Sequence, residues 1–402
     1  MQENITQSHD QKPFFSILIP TRDRSNLLGD LIFSILDQNF SNYELIIADN
    51  SEKEETQNIL NQINDKRVIN LRTGGLKMAD NWETGIQACS GTYLLLFSDK
   101  MVLKPGSLGY LYQYINQHSP SCVQWDLDAF FDEELKYFKN KQPVDESILD
   151  SKSIIQDVLS SEFDSVKIPC HCNSAISMSL INSIKLKTGR ACMQLNPDYT
   201  LAYQVLLNVD SVHELGCSLS ILRYPSFAGG YGNGTSYMKK GDQAKQFMLD
   251  NSDWIDRTDK YQDVRIPSNY FGLDIILKDF YLVLEKYNFN PNDFMNQNQR
   301  FINYYLFTYL EIILRINMGI NMNPELKIWK SYLSNEEVII KKSVNREIRR
   351  FKSKLYYVRL KKALIGNKLF TTILRGLGDK LIRADGESFD TIQDCLDFHK
   401  VM

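Results

Sequence analysis

The 402-residue chain has no run of eighteen apolar residues; the nearest, Phe301 to Leu314, is broken by Asn303 and Glu311. A membrane-spanning helix needs about twenty such residues, so none is expected. The opening MQENITQSHDQK lacks the apolar core of a signal peptide. Cysteines number seven, an odd count in a long chain, and no CxxC pair occurs among them, which argues against a disulfide framework and for reduced thiols. Cys170-His171-Cys172 lacks a second spaced pair of ligands and therefore does not make a zinc site. GxxxxGK[ST] is absent, so the Gly-rich AGGYGNG at 228 to 234 is not a P-loop; a loop closing over a ligand and an ordinary surface loop both fit it. A net charge of −3 argues against a whole-protein nucleic-acid binder. Together these absences make a cytoplasmic protein the expectation.

What is present is enough apolar material for a core: 43% hydrophobic residues and 11% aromatics exclude a disordered chain. The length suits one large domain or two moderate ones. In the first hundred residues, short apolar runs at Phe14 to Pro20, Tyr43 to Asp49, Arg67 to Leu71 and Tyr93 to Phe97 read as strands buried on both faces. Helical stretches separate them at Asn26 to Gln38, Glu52 to Asn64 and Met78 to Cys89. This alternation implies an α/β fold with a parallel sheet and right-handed crossovers. Ligands bind beyond the carboxyl ends of such strands. The residues there, Thr21 to Arg24, Asp49 to Ser51 and Ser98 to Lys100, are all polar. From Cys122 to about Tyr231 the chain is mixed, and after about 240 it becomes mostly helical, with no repeats and no low-complexity linker.

Three stretches, "SILIPTRDRSNLLGDLIFSILDQNFSNYELIIADNSE", "MADNWETGIQACSGTYLLLFSDKMVLKPGSL" and "GRACMQLNPDYTLAYQVLL", resemble family 2 glycosyltransferases of the GT-A fold, over roughly residues 14 to 230. The resemblance implies a flexible N-terminus at 1–12 and a Rossmann-like, mostly parallel GT-A domain at 13–238. Within that domain, 13–110 would be the nucleotide-binding half and 111–238 the acceptor half. A mainly helical region at 239–402 would follow. The implied activity is inverting transfer of a sugar from a nucleoside-diphosphate donor to a hydroxyl of a glycan or lipid-linked acceptor, in bacterial surface polysaccharide synthesis. The alternative is a catalytically inactive sugar-nucleotide-binding or scaffolding protein. A nucleotidyltransferase finds no support, since no Gly-rich phosphate signature follows the first strand.

By this resemblance Pro20, Thr21, Arg22 and Arg24 line the nucleotide pocket, where backbone amides and an arginine meet phosphates. Asp49 reads the base, and a carboxylate accepting a pyrimidine imino N–H favours a UDP-type donor. Asn81, in Asp80-Asn81-Trp82-Glu83, touches the nucleotide or belongs to a helix start. The family carries an acidic cluster where this chain has Ser98-Asp99-Lys100-Met101. One acid there approaches the ribose, and another binds Mg²⁺ or Mn²⁺ to neutralise the leaving diphosphate. The metal carboxylate maps onto Lys100 or Met101, neither of which can serve, leaving Asp99 as the sole candidate ligand. The expectation is that Lys100 replaces the metal as a point charge. Asp198, at the start of a helical run, takes the place of the family's general base, although an Asp there also suits a helix cap.

Between Lys341 and Arg383 fourteen Lys or Arg face two acids, a local charge of +12 that leaves −15 on the remainder. Val344, Ile348, Phe351, Leu355 and Val358 fall on one helix face. Such a segment suits peripheral binding to the anionic inner face of a cell membrane, and equally packing on the chain's own acidic domain or in a homodimer. Nucleic acid is not expected, as no aromatic platform accompanies the charge.

Overall fold

Four parallel strands form the centre of the N-terminal sheet: β1 (Phe15–Thr21), β2 (Tyr43–Asp49), β3 (Val68–Arg72) and β4 (Tyr93–Leu96), in the order β4-β1-β2-β3. Helices α1 (Ser25–Leu36), α2 (Glu55–Leu60) and α3 (Met78–Ala88) make the crossovers. The computed structural model describes residues 12–132, 135–139, 145–159, 168–169, 172–193, 196–224, 272–290, 302, 305–306, 309, 312–313, 316, 323–363 and 387–401. Residues 1–11, Cys170 and His171, the Gly-rich stretch 228–234 and the basic stretch 364–383 lie outside these, as do the side chains of Phe351, Leu355 and Val358.

Because successive side chains of a strand point to opposite faces, the apolar runs feed two cores at once. Phe15, Ile17, Ile19, Leu45, Ile47 and Leu95 pack with Leu28, Leu31, Ile32 and Ile35 of α1. Leu18, Ile46, Ala48, Leu94 and Leu96 pack on the other face, with Trp82 and Ile86 of α3. There α3 lies directly on β1: a Cβ on Gly85 would sit 2.5 Å from Leu18 Cδ1. Two expectations need correction. β3 is not buried on both faces, because it is the last strand in the order and Ile69 is 40% exposed. α2 starts at Glu55 instead of Glu52, because Asp49 accepts the Ser51 N–H and Ser51 Oγ accepts the Asp23 N–H, holding the start of this connection as a turn.

The second half adds β5 (Met101–Leu103), α4 (Ser107–His118), β6 (Cys122–Phe131), β7 (Lys136–Phe138), β8 (Ser147–Asp150), α5 (Ser151–Leu159), β9 (Ser174–Ser177), α6 (Met178–Thr188), α7 (Pro197–Leu206) and β10 (Ser211–Tyr224). β9 inserts antiparallel between β4 and β6, and β10 runs parallel to β6 while pairing antiparallel with β5 and β8. The sheet is therefore mixed, and mostly parallel only in its first half.

Helices α8 (Gly272–Lys286), α9 (Asn323–Asn335) and α10 (Val338–Ala363) follow. Phe280, Val283, Tyr305, Trp329, Ile340, Val344 and Ile348 join the core that contains Leu18, so the helical region packs on the sheet domain. Val344 and Ile348 are thus covered by the chain itself, while Lys342, Arg346, Arg349 and Arg350 face outward. The last described residues return to the sheet: β11 (Glu387–Ser388) pairs with β7, and α11 (Ile392–Val401) packs Ile392, Cys395 and Leu396 against Val102, Phe130 and Ile221. Among the described residues no helix is long and apolar enough to cross a membrane.

Candidate active site

The ends of β1, β2 and β4 bring the expected polar clusters together. Pro20 is buried inside β1. Thr21 Oγ1 donates to Asp99 Oδ2 at 2.9 Å, and Arg24 pairs with Asp99 Oδ1 at 3.0 Å. Asp99 is only 3% exposed, so both its oxygens are committed inside the protein. Arg22 points outward to Glu52 at 3.1 Å. Ser98 Oγ accepts the Lys100 N–H at 3.4 Å. The Lys100 carbonyl accepts from Arg223 N at 2.7 Å, and the Arg223 guanidinium is tied to Asp30 and Asp132. This pins the turn between β4 and β5. Among the described residues the Lys100 ammonium makes no ion pair. Burial and the neighbouring Arg24 guanidinium pull its pKa below the ordinary lysine value, against Cys172, Asp99 and Asp198, which raise it.

Asp49 is fully buried at the end of β2, with Oδ1 accepting from Ser51 N (3.0 Å) and Oδ2 from Gln57 Nε2 (2.5 Å). Its carbonyl accepts from Thr73. Asn81 is turned inward: its amide donates to the Ala48 carbonyl at 3.1 Å and accepts from Thr73 Oγ1 at 2.6 Å. As placed, Asn81 braces the β2 terminus.

Asp198 lies in the first turn of α7, whose N-cap is Asn196, so Asp198 is not the cap itself. Asn196 Nδ2 donates to the buried Asp279 Oδ2 of α8 at 2.6 Å, which ties the start of α7 to the helical region. The N-terminal end of a helix favours a carboxylate in its ionised form. The segment before α7 is held by residues that motif reading passes over. Glu83 Oε2 accepts from Ala191 N (2.9 Å) and Cys192 N (3.0 Å), and Arg190 pairs with Asp80 at 2.9 Å. A cluster of like polar residues at one strand end is legible in a sequence; these partners are not, because they stand 108 to 110 positions apart.

The mixed sheet with flanking helices and a polar cluster at the carboxyl ends of β1, β2 and β4 defines an α/β nucleotide-type domain of the expected GT-A class. Residues 16–184 match the family described as glycosyl transferase family 2, which makes this segment similar to the domain that family shares. It is similar to the GalNAc(5)-diNAcBac-PP-undecaprenol beta-1,3-glucosyltransferase of Campylobacter jejuni, 26% identical over 158 residues that cover 38% of this chain and 51% of that protein. A PGL/p-HBAD biosynthesis glycosyltransferase of Mycobacterium bovis is 30% identical over 113 residues, 27% of this chain and 44% of the relative. The chain thus spans about half the length of the curated relatives it matches. The crystal structure of S. aureus TarS 1-349 in complex with UDP-GlcNAc superposes with a TM-score of 0.44 at 12% identity, covering 84% of this chain and 92% of that one, a similarity too low to build on.

Proposed function

We propose that this protein is an inverting glycosyltransferase that moves a sugar from a nucleoside-diphosphate donor to a hydroxyl of a glycan or lipid-linked acceptor, with Lys100 standing where a metal ion is usual. The carrying observation is that the turn after β4 holds Lys100, whose ammonium makes no ion pair among the described residues, beside an Asp99 already engaged by Thr21 and Arg24, while Asp198 stands in the first turn of α7. Asp198 takes the proton from the acceptor hydroxyl as its oxygen attacks the anomeric carbon. The bond from that carbon to the diphosphate oxygen breaks, and the nucleoside diphosphate leaves with the electron pair. The Lys100 ammonium offsets the negative charge that grows there.

The residues present do not fit a divalent cation. Hard cations take several oxygen ligands, whereas both Asp99 oxygens are already engaged by Thr21 and Arg24, and the next side chain is an ammonium. Asp49 reads the base, in a position where the Gln57 amide now rests and a base N–H would replace it; this supports a UDP-type donor. Pro20, Thr21, Arg22 and Arg24 border the same pocket. The acceptor class draws on the Campylobacter relative, whose name specifies a PP-undecaprenol-linked glycan, and extends to bacterial surface polysaccharide. The outward basic face of α10 supports a peripheral contact with an anionic membrane surface on the cytoplasmic side.

Nucleotide release from a panel of nucleotide sugars, with Mg²⁺, with Mn²⁺ and with EDTA, tests the reading. Release that persists in EDTA and disappears in Asp198→Asn is the expected result. Donor binding with no release, even with pooled glycan acceptors, would instead favour a non-catalytic sugar-nucleotide-binding protein.

A further inference from the structure

We propose that Glu83 is a positioning residue for the general base, acting through the loop that delivers Asp198. The inference rests on the base assignment above. The connection from Gly189 to Asn196 has no strand or helix of its own among its described residues, so its peptide groups must find partners elsewhere. Thr188 at the end of α6 donates to the Arg190 carbonyl and Arg190 Nε to the Cys192 carbonyl, and further partners come from α3 and α7. From α3, the 8%-exposed Glu83 takes the consecutive N–H groups of Ala191 and Cys192, at 2.9 and 3.0 Å, on one carboxylate oxygen. Lys185 approaches the other oxygen at 3.3 Å and balances the charge. From α7, Gln204 Nε2 donates to the Ala191 carbonyl at 2.6 Å, and Thr200 Oγ1 accepts from Met193 N at 2.9 Å.

α3 is itself fixed to the sheet, by Gly85 against Leu18 and by Asn81 on the Ala48 carbonyl. Glu83 therefore carries the register of the sheet into the loop, and the loop enters α7 at Pro197, one residue before Asp198. Charge-assisted bonds to two successive amides resist displacement more than neutral ones do. A general base tolerates little misplacement: an error of about 1 Å can cost about a hundredfold in rate.

The test compares the wild type with Glu83→Ala, Glu83→Gln, Arg190→Ala and Asp198→Asn, reading kcat and donor KM for nucleotide release alongside Tm. Glu83→Ala is expected to lower kcat about tenfold or more while donor KM stays within about twofold. Glu83→Gln keeps an acceptor oxygen for both amides and is expected to retain kcat within about threefold. Arg190→Ala removes the half-exposed clamp to Asp80 together with the bond that Arg190 Nε donates to the Cys192 carbonyl, leaves both Glu83 bonds in place, and is expected to lower kcat by a smaller factor in the same way. A fall in Tm for Glu83→Ala with kcat unchanged, or equal losses in the Ala and Gln variants, overturns the positioning role. Should Glu83→Ala not fold, an unchanged kcat in Arg190→Ala overturns it as well. Wild-type rates in Asp198→Asn, or no turnover by the wild type with any donor, overturn the base assignment itself and this inference with it. Loss in Asp198→Asn beside full activity in Glu83→Ala overturns the positioning role alone.

Discussion

On the proposed reading, the donor-side strand ends and the acceptor-side loop use their buried carboxylates in different ways. On the donor side Asp49 and Asp99 are buried and closed off: one by Ser51 and Gln57, the other by Thr21 and Arg24. On the acceptor side Asp198 stands in the first turn of α7, and the buried acid, Glu83, holds backbone. The difference shows where negative charge has been neutralised by the chain. Arg24 cancels Asp99, and among the described residues the Lys100 ammonium that follows it makes no ion pair. On the proposed reading this loop serves an anion where the family's acidic loop serves a cation.

The largest break in this contrast comes from Asp198→Asn. Loss of a general base is expected to cost about 10²–10⁴ in turnover, with far-UV circular dichroism and donor affinity preserved. Arg24→Met strikes the donor side. It strands Asp99 in the interior and should cost about 3 kcal/mol of stability, because breaking a buried ion pair leaves an uncompensated charge. Arg22→Ala removes only the exposed pair with Glu52 and should cost less than about 1 kcal/mol. Urea unfolding of the two variants side by side measures the gap; equal effects would mean that Asp99 does not depend on Arg24.

A smaller effect sharpens the role of Lys100. Its pKa lies below the ordinary lysine value of 10.5, chiefly through burial. On the proposed reading the protonated form offsets the charge of the diphosphate, so turnover should be present at lower pH and lost as pH rises through that depressed pKa. Lys100→Arg keeps its charge throughout this range and should carry the alkaline limb to higher pH, as a pH–rate profile of both proteins would record.

How much of this was legible in the sequence depended on the range of the contacts. β1, β2 and β4 announce themselves because parallel strands buried on both faces must be continuously apolar, and the polar clusters that end them are local. β3 misled because an edge strand uses the same residues with only one neighbour. The insertion of β9 between β4 and β6, and the return of β11 to β7, depend on pairings that local patterns do not carry. The basic segment showed a real apolar stripe, but sequence could not say what covers it; at Val344 and Ile348 it is the chain's own core. At the site, the position of Asp99 was readable and its partners were not. For Asn81 the letters left a nucleotide contact and a helix start both open, and they did not name its bonds to the Ala48 carbonyl and Thr73.

The most direct measurement is nucleotide release by the wild type and by Lys100→Met, each assayed in EDTA and in Mg²⁺. The account predicts wild-type turnover that is insensitive to EDTA and a variant that is inactive under both conditions. Wild-type turnover abolished by EDTA, with Lys100→Met active once Mg²⁺ is supplied, would contradict it.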